Sequence, residues 1–234
     1  MIELGDGARL RRARHEDLGA LLSIRRALPM PSLAETDETR RGGFLLGCDA
    51  AQYAQLLAIA RVWLLERGGE AGGFCVTLDD PVLRASPIWA RRDEIAWDAG
   101  VDPVAIAARR VAYLDQLAVL PHMRSHYWGA ALGLRAVADQ IVERGHELVL
   151  TTTVIAPIHN RAAQPYLDQF GARRIGQVDE RYPEVGRIVS AVHLLDAAHY
   201  QQRLAEIRDD QRPAIARIQQ MRKLIRIIDA SLDR

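Results

Sequence analysis

The sequence predicts a mixed α/β (α+β) fold, with a mostly antiparallel central sheet, helices on both of its faces and a helical tail at the C-terminal end. Three observations predict it. The chain has 234 residues, 49% of them hydrophobic, enough to bury a substantial core without staples. Strand-like runs and runs of helical period follow one another in the order β-α-α-β-β-insert-β-α-β-α-β-β, which a mixed sheet covered by helices accommodates. The last stretch of about 40 residues abandons the alternation and carries helical periodicity alone.

Each element has a local reason. "ARLRRARHEDLGALLSIRRAL" reads as a short strand, then a helix led by Asp17 with Leu18, Leu21, Leu22 and Ile24 on or near one face, and "PMPSLAETDETRRGG" breaks it. "DAAQYAQLLAIA" is a second helix, and "RVWLLERGGEAGGFCVTL" holds two strand-like runs joined at Gly68 and Gly69, a hairpin signal. Residues 81–110 are poorly periodic, hold Trp89 and Trp97, and read as an insert or lid; the tryptophans either line a ligand or pack. The strand "VAYLDQLAV" follows, then a loop and the helix "GAALGLRAVADQIVER", with Leu134, Val137, Ala138, Ile141 and Val142 at helical spacing and Gly145 as its stop. The strand "HELVLTTTV", a helix from about Asn160 to Phe170, and the strands "ARRIGQVDERY" and "GRIVSAVHLLD" complete a domain over residues 1–196. The extension, 197–234, carries an apolar stripe at Ile215, Ile218, Met221, Ile225 and Ile228, to be covered by its own domain or by a second copy in a homodimer.

Composition narrows the function classes. Thirty-one basic residues against 30 acidic leave a formal charge of +1, and the basic tail helix lacks interleaved aromatics, so neither a global field nor a stacking surface speaks for nucleic acid. No apolar run approaches the roughly 20 residues of a spanning helix, and the amino-terminal segment has no apolar signal core, so a soluble cytoplasmic protein without a membrane partner is expected. Cys48 and Cys75 lack metal-ligand spacing and sit beside apolar residues, which predicts two reduced, mostly buried thiols and no metal.

The informative stretch is "LAVLPHMRSHYWGAAL". A strand that runs into a loop and at once into a helix N-terminus points backbone N–H groups at a common spot, a ready anion site suited to a pyrophosphate. This segment resembles motif A of the GCN5-related N-acetyltransferases (GNAT superfamily), V-x-P followed by Q/R-x-x-G-x-G/A and a helix, at Val119, Pro121, Arg124 and Gly129. A second segment, "NRAAQPYLDQFGAR", resembles the family's following motif at Asn160, Ala163 and Gly171, with a strand between the two. The resemblance covers roughly residues 8–196. It implies acetyl-CoA (coenzyme A) as cosubstrate, its diphosphate cradled by Arg124, Ser125, His126, Tyr127, Trp128, Gly129 and Ala130, with Asn160 contributing. It also implies a backbone N–H near Ala118 or Val119 that holds the thioester carbonyl. The acceptor implied is a small-molecule or peptide amine of unidentified nature. Three positions depart from the pattern: Tyr127 stands where the first loop glycine is usual, Ala172 where phenylalanine is, and Leu167 where the family's tyrosine often protonates the thiolate. Tyr166 falls one place earlier, a rotation of about 100° on a helix.

Acyl transfer to an amine also needs a base. Asp115 lies four residues before Val119, on the same strand face if alternation is strict, and could take the ammonium proton; the competing reading pairs it with an arginine of the insert. Tyr166 is the candidate acid for the sulfur, whereas His122 and His126 read as solvated or phosphate-facing. Two functions follow: an N-acetyltransferase, or a degenerate acyl-CoA-binding regulatory module that acts through its C-terminal helix.

Overall fold

The computed structural model describes residues 1–31, 43–209 and 216–232, apart from the side chains of residues 125, 126 and 216–218. In chain order the elements are β1 (Ile2–Gly5), β2 (Ala8–Arg12), α1 (Leu18–Arg26), α2 (Ala50–Ile59), β3 (Arg61–Arg67), β4 (Glu70–Leu78), α3 (Asp80–Arg84), α4 (Pro87–Ala90), β5 (Ala96–Trp97), α5 (Pro103–Ala107), β6 (Val111–Val119), α6 (Trp128–Ala138), β7 (Leu148–Ala156), α7 (Gln164–Phe170), β8 (Arg173–Tyr182), β9 (Gly186–Asp196), α8 (Ala197–Asp209) and α9 (Ala216–Leu232). The described strands form one nine-stranded sheet in the order β1-β2-β3-β4-β6-β7-β9-β8-β5. Neighbours run antiparallel except β6 and β7, so the mixed sheet is as expected. The strand β1 was not anticipated: four residues carry too short an alternation, and the turn that folds it onto β2 passes Gly5, Asp6 and Gly7 at positive φ.

Two apolar layers cover the sheet. On one face Tyr53, Leu64, Phe74, Tyr113, Leu150 and Val192 pack with Leu21 and Ile24 of α1. On the other, Leu10, Leu65, Val119 and Val149 pack with α6, α8 and α9.

The tail helix belongs to this second layer. Met221, Leu224, Ile225 and Ile228 are buried in one cluster with Ile2 and Leu4 of β1 and Leu134 and Ala138 of α6. Of the expected stripe, Ile215 lies outside the described residues, as does the side chain of Ile218. The other three members face their own domain, and Leu224 completes a stripe at spacings of three and four.

The segment 81–110 is not a structureless lid. Asp79, Ser86 and Asp102 each accept an N–H of the turn that follows, with a proline at the head of each short helix. Its two-residue strand β5 adds to the sheet edge on Gly176 and Gln177 of β8. Trp89 and Trp97 pack on the first layer, and the guanidinium groups of Arg84 and Arg92 lie 4.8 and 5.4 Å from the Trp89 ring centre, so packing describes both tryptophans. Helices of four or five residues offer less than two turns of periodicity, which is why the pattern hid them.

Leu224 is fully enclosed between α9, α6 and β1. Leu224→Ala is therefore expected to cost about 2–5 kcal/mol of unfolding free energy, read as a lower urea midpoint at unchanged slope. A variant as stable as the parent would show that α9 stands outside the cooperative core.

Candidate active site

Pairing between β6 and β7 stops early. It runs from Val111–Leu148 to Leu114–Thr151, where the Thr151 hydroxyl donates to the Leu114 carbonyl at 2.8 Å. Beyond this rung β6 continues to Val119 on β4 alone, and β7 continues to Ala156 on β9 alone. The sheet is split, and the backbone polar groups along the inner edges of the split have no ladder partner there.

The chain leaves β6 through a tight 3₁₀ turn, Pro121–His126, anchored where Leu120 N–H donates to the Gly72 carbonyl at 2.8 Å and Met123 N–H to Leu120 at 2.9 Å. It then reaches Tyr127 with φ 57° and ψ 18°, a left-handed backbone that glycine adopts without penalty and a tyrosine does not. The family's glycine is missing while the conformation it serves is kept. Ala130 N–H bonds back to the Tyr127 carbonyl at 2.9 Å and opens α6, whose N-terminus faces the loop with its partial positive charge.

Around this helix start the expected residues divide. Arg124 is half-buried and its Nε donates to the Val119 carbonyl at 3.1 Å, with burial lowering its pKa. Gly129 is needed for a close approach: a Cβ there would lie 2.7 Å from the Tyr166 hydroxyl and 3.0 Å from Val119 Cγ2. Tyr166 is therefore not rotated out of reach. It sits in the first turn of the short α7 with its hydroxyl against the start of α6, its pKa raised by burial against the opposing charge of Arg124. Asn160 donates from Nδ2 to the Phe44 carbonyl at 3.2 Å, while its Oδ1 is enclosed without a hydrogen-bond partner. An orphaned acceptor beside the split fits an amide-bearing cofactor arm. Ala118, Trp128 and Ala130 are buried, so their side chains serve the core and only their backbones are left for a ligand. The side chains of Ser125 and His126 lie outside the described residues.

Asp115 corrects the expected geometry. Gln116 pairs with Val76 and Leu114 with Thr77, so Asp115 is the extra residue of a β-bulge. The bulge breaks the alternation. Val119 joins the α6 layer, whereas Gln116 turns to the α1–α2 face with Asp115, accepting from the Tyr53 hydroxyl at 2.8 Å and donating to Cys48 Sγ at 3.2 Å. Burial, and after it the charge of Glu180, pushes the Asp115 acid up to about 6 while Gln116 opposes the shift. Asp115 has no salt bridge among the described residues. The insert's Arg91 pairs instead with Glu180, at 3.4 Å. Cys48 is half-buried and Cys75 buried, both free, and burial with the Asp115 charge raises the Cys48 thiol to about 11. Sequence reasoning missed Gln116, Tyr53 and Glu180, because a bulge and a long-range pairing leave no spacing signal.

Two outcomes are expected. Tyr127→Gly should relieve a left-handed strain of about 1 kcal/mol and raise the melting temperature, unless the ring has a partner whose loss lowers it. Asp115 holds its proton more tightly folded than unfolded, so charging it as pH rises from 3.8 through about 6 weakens the fold. Asp115→Asn should therefore melt higher than the parent above that window and level with it below; equal melting at every pH would mean the carboxylate carries no such cost.

Comparison with known proteins recognises the fold. No family model matches the chain, and no curated protein does. Among solved structures it is similar to the ribosomal-protein-S18-alanine N-acetyltransferase from Escherichia coli, with 17% identity and a TM-score of 0.52 over 81% of this chain and 94% of that one. It is similar to mutant forms of the spermidine/spermine N-acetyltransferase SpeG from Vibrio cholerae, with 12% identity and a TM-score of 0.54 over 85% and 99%. A chain of the NatC complex bound to Gag peptide and CoA gives 14% and 0.51 over 81% and 98%. With its split sheet and the loop that opens α6, the chain has the fold of the GCN5-related N-acetyltransferase superfamily.

Proposed function

We propose that the protein is an acetyl-CoA-dependent N-acetyltransferase that acts on a small-molecule or peptide amine. The observation that carries this reading is that the two functional ends of the split lie on opposite faces of the sheet. The start of α6, with Gly129, Arg124 and Tyr166, belongs to one face; Asp115, before the shift its bulge makes, shares the other with Tyr113. A transfer between two substrates that enter from opposite sides and meet in the gap requires this arrangement. The likeness to N-acetyltransferases of known structure supports it at the level of fold.

Acetyl-CoA when bound supplies a thioester carbonyl carbon open to an amine nitrogen. The α6 N-terminus and Arg124 hold the diphosphate, and Asn160 Oδ1 accepts an amide N–H of the cofactor arm. A backbone N–H near Ala118 or Val119, on the unpaired edge of β6, donates to the carbonyl oxygen. Asp115, with its acid near neutrality, takes the proton that an ammonium must lose before its nitrogen has a free electron pair. As the C–N bond forms and the C–S bond breaks, the sulfur leaves with the bonding pair and Tyr166 gives it a proton. Tyr166 recovers that proton from the second one the nitrogen releases. One proton per turnover thus ends on the thiol and one leaves through Asp115.

The second reading, a binding module without turnover, has Tyr127 in its favour, since its left-handed strain burdens the loop that would hold the diphosphate. One experiment separates the two. Coenzyme A at about 100 times Kd should stabilise the fold by ~2.7 kcal/mol, and acetyl-CoA with an acceptor amine should release thiol, about 10²-fold more slowly in Asp115→Asn. A thermal shift without thiol release across an amine panel selects the module; no shift at millimolar coenzyme A removes both.

A further inference from the structure

The acceptor face carries a second carboxylate that the reaction above does not use. Glu180 lies in β8, in the half of the sheet that parts from β6, two residues after Val178 on the face of the α1–α2 layer. The Ser190 hydroxyl donates to its Oε2 at 2.5 Å. Among the described residues its Oε1 has only the stretched 3.4 Å contact with Arg91, whose stronger bonds go elsewhere, to the Asp179 carbonyl at 2.7 Å and to Glu94 at 3.0 Å. One oxygen is thus pinned and the other is open to exchange. Tyr182, next on the same face, lies so close to the loop before α2 that a Cβ on Gly47 would stand 3.0 Å from its ring. Burial and then the charges of Glu180 and Asp115 raise its phenol. Asp115, Glu180, Tyr182 and Thr152 are all only partly covered, and no described cation pairs with Asp115.

The two carboxylates differ in what they can do. Asp115 exchanges protons. Glu180, held by Ser190, is a carboxylate on the same face of the sheet as the base proposed for the reacting nitrogen. A neutral tail on the acceptor gains nothing from that charge. A second ammonium on the same acceptor gains a charge-assisted bond.

We propose that Glu180 determines acceptor specificity by pairing with a positive charge that is not acylated, so that the preferred acceptors are diamines or polyamines. The assignment rests on the acetyltransferase reading for its reaction but not for its binding, and the test uses both. Calorimetric titration of the coenzyme A-loaded protein with diaminobutane and with butylamine should show the diamine bound about tenfold more tightly. Glu180→Gln keeps an acceptor for Ser190 and nearly the same volume; it should bring the two amines level and raise KM for the diamine about tenfold with kcat within about twofold. Glu180→Asp, which keeps the charge, should retain part of the preference, and matched melting curves establish that the variants are folded. Equal binding of both amines by the parent, no binding of either, or a preference that survives in Glu180→Gln would each overturn the proposal. A preference that Glu180→Gln abolishes, with neither amine acetylated, would uphold the acceptor assignment and remove the acetyltransferase reading.

Discussion

Everything at the site depends on where one ladder of hydrogen bonds ends. Parallel pairing between β6 and β7 extends four residues and stops at Leu114–Thr151. Each strand then continues on its other neighbour, so neither loses its place in the sheet. The cost of leaving inner-edge N–H and C=O groups without partners is of the order of 1–3 kcal/mol for each one kept from water. That cost is tolerable because the antiparallel neighbours hold the two strands past the split, β4 holding β6 from Tyr113 to Val119 and β9 holding β7 from Leu148 to Ala156. The gap is thus a stable feature of the sheet, and along its β6 edge the Val119 carbonyl already accepts from Arg124.

The bulge at Asp115 is the second constraint, and it acts only because the split exists. In a continuous sheet an extra residue on β6 would disturb pairing on both sides. Here the strand on one side is already gone, and the irregularity falls on the β4 pairing alone, between Val76 and Thr77. It leaves Asp115 on the face of Tyr113 and moves Val119 to the face of the helix that opens at Gly129. Burial raises the acid of Asp115 at a cost in stability, and the base role proposed for it above is served by the same shift.

Sequence patterning reached the mixed sheet, the loop–helix junction and the apolar stripe of the tail because each rests on local signals: period-two runs, a helix start, a stripe at three and four. The same reasoning placed Asp115 on the face of Val119, since strict alternation has no term for a bulge. It took residues 81–110 for an insert or lid because three capped helices shorter than two turns show no period. It set Tyr166 one position away from the family's tyrosine and so a rotation away from the site. The first turn of α7 nevertheless brings that hydroxyl to Gly129, because register within one helix says nothing of how the helix is docked. Glu180 was invisible for a similar reason: its neighbours Arg91, Ser190 and Asp115 come from three other segments.

A helix N-terminus that is to hold charge must not recoil, and α6 is held along its whole length. Every residue from Trp128 to Ala138 is buried, Arg135 included, since α9 closes the side that the sheet leaves open. At the far end Asp139, fully enclosed, accepts from Arg12 at 2.9 Å, from Arg61 at 3.2 Å and from the Trp63 indole at 3.2 Å. Trp63 in turn lies between two guanidinium groups, Arg135 at 4.2 Å and Arg12 at 5.4 Å from its ring centre. Burial pushes the Asp139 acid up, but its hydrogen-bonded neighbours and the two arginines outweigh it and keep the carboxylate charged. A buried charge network of this kind adds little net stability over an apolar core; what it supplies is a single seating for the helix. With that end fixed and Tyr127 accepting a strained backbone at the other, the positive end of α6 stays aimed at the mouth of the split.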